Sequence, residues 1–204
     1  MMAFHDKLKT ALIAEFGAKK VVFMPKWDVQ RRCAWQGPGR VPNALLLHHT
    51  AAAATTLTSP KAAGNQRGVN KNVIAYIQTH YEVPAANFTL DRDGTVYVHS
   101  AYCVWHAGMG TFKGKAPWSS LGIPADQGND YMLGVEIMSK GLKKDFTAAQ
   151  EAGVGALLRA SATAARWVAP KGPKALIRRP RHIDWAGNRK VDILYSNNEV
   201  ATWL

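Results

Sequence analysis

The chain's 204 residues are 47% apolar and include seven tryptophans, enough to fill one substantial core and too many for a disordered segment. No apolar run approaches the roughly 20 residues of a membrane-spanning helix, and two cysteines, Cys33 and Cys103, make neither a disulfide framework nor a zinc-finger pattern; both are expected as buried free thiols. The net charge of +12 calls for a polyanionic partner, be it nucleic acid, acidic wall polymer or membrane surface, with a solvated basic face as the plainer alternative.

Residues 3–19 read as an amphipathic helix, with Phe4, Leu8, Leu12 and Phe16 near helical spacing and Gly17 near its end. Residues 27–42, rich in Arg, Trp, Gly and Pro, read as a loop. Ala44-Leu45-Leu46-Leu47-His48-His49-Thr50 reads as a buried strand that runs into two histidines, and residues 51–68 as a long loop. A helix is expected from Asn70 to Tyr81. After it, Asn87–Leu90 and Thr95–Val98 flank Asp91-Arg92-Asp93-Gly94, a strong hairpin signature.

Residues 100–130 hold Trp105-His106-Ala107-Gly108 and are otherwise loop-like. A strand is expected over 131–138. Thr147-Ala148-Ala149-Gln150 has the form of a capping box and opens the longest predicted helix, which runs to about Val168 and is stopped by Pro170. A short segment, Ala175–Ile177, leads to a loop after His182, and a last short helix is placed at 198–204. Strands interleaved with helices imply an α/β domain with one central sheet.

Several residues break their local pattern. In residues 182–192, His182, Lys190 and Asp192 flank Ala-Gly-Asn-Arg, a run that favours a loop and could fold His182 and Asp192 onto one metal ion. Successive side chains on a strand point to opposite faces, so one of His48 and His49 can join them; periodicity does not say which. Glu136 is a carboxylate inside an apolar strand, either paired with an arginine or acting as a general base. Lys190 is either a solvated surface group or an electrophile for a developing oxyanion. Late in the chain Lys171, Lys174, Arg178, Arg179, Arg181, Arg189 and Lys190 face only Asp184 and Asp192, a concentrated basic stretch.

Taken together, Leu47-His48-His49-Thr50-Ala51, Asn87-Phe88 with Arg92-Asp93-Gly94-Thr95-Val96, Trp105-His106-Ala107-Gly108, Leu133-Gly134-Val135-Glu136-Ile137, and His182 with Lys190 and Asp192 resemble the type 2 N-acetylmuramoyl-L-alanine amidases. That family shares its fold with the peptidoglycan recognition proteins. The resemblance covers about residues 40–204 and leaves residues 1–40 as an N-terminal helical extension of a single catalytic domain. It implies a central mixed β-sheet flanked by α-helices.

It further implies that His48, His182 and Asp192 hold Zn2+, that Glu136 and Lys190 are catalytic, and that Trp105 and His106 bind substrate. One departure stands out. A branch of the family has a catalytic tyrosine ahead of the Arg-Asp-Gly turn, where this chain has Ala86, so Glu136 is expected to do that work.

The expected activity is hydrolysis of the amide between N-acetylmuramic acid and the L-alanine of the stem peptide in bacterial peptidoglycan. The N-terminus lacks the apolar segment and cleavage site of a secretory signal. The expectation is therefore the catalytic domain of a bacteriophage endolysin, made in the host cytoplasm and acting on the wall after release, with its basic surface held by anionic wall polymers. A cytoplasmic muropeptide-recycling amidase and a non-catalytic peptidoglycan-binding module are the alternatives. Nucleic-acid binding rests on charge alone, without a recognisable motif, and stable membrane insertion is not expected.

Overall fold

The computed structural model describes residues 2–33, 41–51, 71–141, 144–167, 178–190 and 192–203. The predicted loop at 51–68, the stop at Pro170 and the segment Ala175–Ile177 lie almost wholly outside them. Among the described residues five strands form one mixed sheet: β1 (Val21–Phe23), β2 (Ala44–His49), β3 (Phe88–Leu90), β4 (Val96–Val98) and β5 (Met132–Ile137), in the order β1-β4-β3-β5-β2. β3 and β4 are the antiparallel hairpin expected around Asp91–Gly94; the other pairings are parallel. β1 had no sequence signal, since three residues are too few to show a period.

Strand alternation gives the sheet two different faces. The back carries Leu45, Leu47, Phe88, Leu90, Val96, Val98, Leu133, Val135 and Ile137, all buried. It is covered by α1 (Phe4–Phe16), through Leu8, Ala11 and Leu12, and by α4 (Ala148–Ala165), through Val154, Leu157 and Leu158. Residues of the N-terminal forty thus belong to the same core as the rest. α1 is shorter than its periodicity predicted: Gly17, at φ +74°, ends it, and a 3-10 turn at Ala18–Lys20 leads into β1. The start of α4 follows the sequence closely, with the Thr147 and Gln150 side chains bonding reciprocally as a capping box.

The front face is where polar groups appear. Toward one end Ala44, Leu46 and Met132 pack under Phe112, Trp118 and Trp185. Toward the other, Tyr97 and Met138 pack on Ile74 of α2 (Lys71–Thr79). Between these apolar clusters β2 and β5 place His48 beside Glu136 in register, so both side chains leave the sheet on the same side. A four-residue helix, α3 (Gly128–Tyr131), feeds β5; α5 (His182–Ala186) and α6 (Asn197–Ala201) follow α4.

Two expectations need correction. Cys33 and Cys103 are not free thiols: they form a disulfide, with Cα atoms 5.3 Å apart across a local β-bridge. No local pattern signals it, because the contact joins two irregular segments 70 residues apart. The late basic stretch is not one exposed surface either. Arg179 is fully buried and donates to the carbonyls of Ala201 and Trp203, while Arg181 is bonded to both carboxylate oxygens of Asp184. Arg178 donates to the Asn43 carbonyl and lies against the Trp167 ring. Of the described members, Arg189 and Lys190 are the exposed ones.

Candidate active site

Two backbone contacts bring the distant parts of the site together. The N–H of Leu47 donates to the carbonyl of Pro180, aligning residues 180–181 along the free edge of β2 and setting His182 beside His48. The N–H of Ile183 donates to the carbonyl of Asp192, which closes residues 183–192 into a loop. That loop is partly helical, against expectation. α5 spans His182–Ala186 because the Asp184 carboxylate accepts from both the N–H and the guanidinium of Arg181 at its start, and Gly187 (φ +63°) ends it. Of the Ala-Gly-Asn-Arg run, Ala186 closes α5 and Gly187–Arg189 form a 3-10 turn that delivers Lys190.

His48, His182 and Asp192 are all buried and converge. Nδ1 of His182 stands 2.9 Å from Nδ1 of His48 and 3.0 Å from Oδ2 of Asp192, and His48 Nδ1 is 3.6 Å from that same oxygen. These contacts cannot all be hydrogen bonds between neutral rings and a carboxylate. His182 Nε2 lies 3.2 Å from the carbonyl of Ala107, which can only accept, so that nitrogen carries the ring proton. Nδ1 of His182 then turns a lone pair toward the carboxylate, acceptor against acceptor. A cation between the three atoms removes the conflict. Ligand atoms about 2.0–2.2 Å from a tetrahedral ion stand about 3.3–3.6 Å apart, and the spacings here run from 2.9 to 3.6 Å, so a small outward shift of His182 would seat one. The donor set of two imidazoles and one carboxylate fits a borderline divalent metal.

His49 points to the opposite face. Its Nδ1 accepts from the N–H of Ala51, and its ring fills the space where a Cβ on Gly141 would stand. Burial holds the His48 imidazole down to about pKa 4, reinforced by His182, so it is the neutral ring that a metal requires.

Glu136 sits next to this group with Oε2 buried and unpartnered. Burial pushes its carboxyl up to about 8, with Asp192 adding to the rise and the Lys190 ammonium opposing it. Glu136, His182 and Lys190 open into a cleft of about 960 Å³ whose wall includes Trp105 and His106. The His106 ring lies over Gly134, where a Cβ would come within 2.4 Å of it; Nε2 donates to the carbonyl of Met132 and Nδ1 is left without a partner. Trp105 is 41% exposed, with the guanidinium of Arg32 lying 4.2 Å from its ring centroid.

The sequence model of the N-acetylmuramoyl-L-alanine amidases matches residues 38–193, well over half of the chain. The chain belongs to that family. Among solved structures it is similar to a selenomethionine derivative of AmpD, with 18% identity, 91% of this chain and 94% of that one covered, and a TM-score of 0.57. It is also similar to the Ph2119 endolysin from Thermus scotoductus MAT2119 bacteriophage Ph2119 (14% identity, 90% and 97% covered, TM-score 0.51). PGRP-Hd from Alvinella pompejana is a third (15%, 87% and 95%, TM-score 0.50). At these identities the likeness speaks for the fold. No curated protein matches the chain.

Two residues that shape this amidase-family cleft, Asn129 and Arg32, carry no sequence signal of their own, and a third, Asn87, has one only through the family resemblance. Asn129 Oδ1 accepts from the N–H groups of both His106 and Ala107, fixing the turn that also receives the His182 proton. Asn87 ties β3 to β5 by donating to the carbonyls of Ser100 and Tyr102 and accepting from the N–H of Gly134. Arg32 reaches the cleft from before the matched region and is ion-paired with Asp130. Polar residues in irregular segments carry no periodic signal, so only Asn87, inside a motif of the family resemblance, was marked.

Proposed function

We propose that this chain is a zinc-dependent amidase that cuts the bond between N-acetylmuramic acid and the L-alanine of the peptidoglycan stem, and that it acts on the cell wall as a phage endolysin. The observation that carries the chemistry is the set of three converging acceptor atoms on His48, His182 and Asp192, short of protons and adjacent to an unpartnered Glu136. When bound there, Zn2+ supplies Lewis acidity, making water more acidic and a carbonyl more electrophilic.

The remaining work falls to side chains. Glu136 accepts the proton of the attacking water and hands it to the nitrogen of the departing L-alanine amine; a carboxyl whose affinity for a proton is raised suits both halves of that transfer. The Lys190 ammonium at the same cleft offsets charge building on the carbonyl oxygen. The proton that His182 donates to Ala107 keeps its other nitrogen directed inward. Trp105 and His106 border the space where the muramyl end would lie. The endolysin role is supported by the net charge of +12, which favours attachment to anionic wall polymers over a small soluble substrate.

The deciding experiment digests purified sacculi with the zinc-loaded protein and identifies the products by mass spectrometry. Released stem peptides with new free L-alanine amino groups are expected, together with intact glycan that carries free lactyl carboxylates. Products cut in the glycan or between stem residues would overturn the chemistry. A strong preference for soluble muropeptides over sacculi would overturn the wall-lytic role and favour the recycling reading.

A further inference from the structure

Eight large hydrophobic side chains are exposed among the described residues, and four of them line the one cleft that holds Glu136, His182 and Lys190: Tyr76 at 53%, Tyr81 at 51%, Trp105 at 41% and Met109 at 63%. Chance scatter would not concentrate them so, and an exposed apolar patch marks a surface with a partner. The packing of α2 explains how two of them are presented. Ile74 and Ile77 are buried on the inner side of this helix, which turns Tyr76 outward. His80, one turn on, stacks on the Tyr76 ring at 4.1 Å and 25°, and Tyr81 meets His80 edge to face at 4.6 Å. Trp105 is braced by Arg32, itself paired with Asp130.

These rings are therefore held in place while exposed, an arrangement suited to a flat apolar ligand surface. Beside them the Glu82 carboxylate and the Asn129 amide enter the cleft lining, offering acceptors and donors for hydroxyl and acetamido groups. Exposed aromatic rings and planar polar side chains in one cleft wall match the chemistry of a saccharide, whose rings present C–H faces and a hydroxyl rim.

We propose that Tyr76 and Tyr81 form a subsite for the glycan strand itself, taking sugar rings beyond the muramyl residue that bears the scissile amide. This rests on the amidase reading of the site and deepens it: the subsite makes the protein prefer polymeric glycan to a single disaccharide-peptide. The occupant follows from continuity, since the platform lies in the wall of the same cleft as Glu136 and Lys190.

Two measurements test the proposal. In the first, peptide-free strands of alternating N-acetylglucosamine and N-acetylmuramic acid are titrated into the zinc-loaded protein by calorimetry. The Tyr76→Ala/Tyr81→Ala double variant should bind about tenfold more weakly, and the corresponding double phenylalanine variant should recover most of the affinity. In the second, kcat/KM is compared on glycan-peptide oligomers and on a disaccharide-peptide. The double alanine variant should lower the ratio between the two substrates about tenfold, through KM. Unchanged strand binding, or equal loss on both substrates, overturns the proposal. The first measurement needs no turnover, so a protein that binds strands through these tyrosines and cuts no amide would sink the amidase reading and leave the subsite standing.

Discussion

Glu136 shows how one residue can work against the fold that holds it. Its carboxyl is pushed up to about 8 against an ordinary 4.5, so in the metal-free protein the folded state holds a proton that the unfolded chain releases. The associated stability is present in full below about pH 4.5 and is lost as pH rises through about 8. Glu136→Gln should therefore raise the melting temperature of the chelator-treated protein by a few degrees at pH 7.5 and leave it unchanged at pH 4. The same variant should lose about 10²–10⁴-fold in activity while keeping its zinc. A variant that lyses walls at the normal rate would remove Glu136 from the reaction. His182→Ala should cut zinc content sharply as measured by atomic absorption, whereas His49→Ala, on the other side of the strand, should retain it. Both the glutamate and the histidine pair stood out in the sequence because each interrupts an apolar strand. Alternation alone separates His48 from His49 without saying which face is inward; it is the family resemblance that names His48.

Elements with a strong local code were legible. The hairpin around Asp91–Gly94 and the Thr147 cap of α4 each follow from a few adjacent residues, whose turn and capping chemistry is local. β1 and α5 were not, being three and five residues long and stabilised by a neighbouring strand and by the Arg181–Asp184 pair. Gly134 belongs to the legible β5, yet its purpose appears only in three dimensions. On that strand it leaves the space into which the His106 ring settles. Gly134→Ala should cost about 1–3 kcal/mol in chemical denaturation, and should impair turnover beyond what the stability loss explains, because His106 must shift within the cleft wall. A fully active variant would show that the ring's position is immaterial.

For the molecule as a whole, the disulfide is the long-range constraint that local patterns could not reveal. Cys33–Cys103 closes a loop of 70 residues that contains β2, α2, β3 and β4 and anchors Arg32 beside Trp105. Loop-closure entropy predicts that reduction, or Cys33→Ser with Cys103→Ser, lowers stability by about 2–4 kcal/mol. Denaturant midpoints with and without dithiothreitol would measure it; identical midpoints would mean that packing alone secures the segment. Charge, too, proved a property of the assembled fold. The sequence counts Arg179 among the cations available to a partner, but the structure seals it inside.

That sealed guanidinium links the end of the chain to the ligand cluster. Arg179 lies three residues ahead of His182, and its Nη atoms are satisfied by the carbonyls of Ala201 and Trp203, with burial lowering its pKa to about 10. Removing residues 201–203 would strip both carbonyl partners from a buried guanidinium, and the disturbance would fall first on the segment that carries His182. A protein trimmed there should thus surrender zinc to a weak chelator while its circular dichroism still reads as folded, which would make Ala201–Trp203 a latch on the proposed ion.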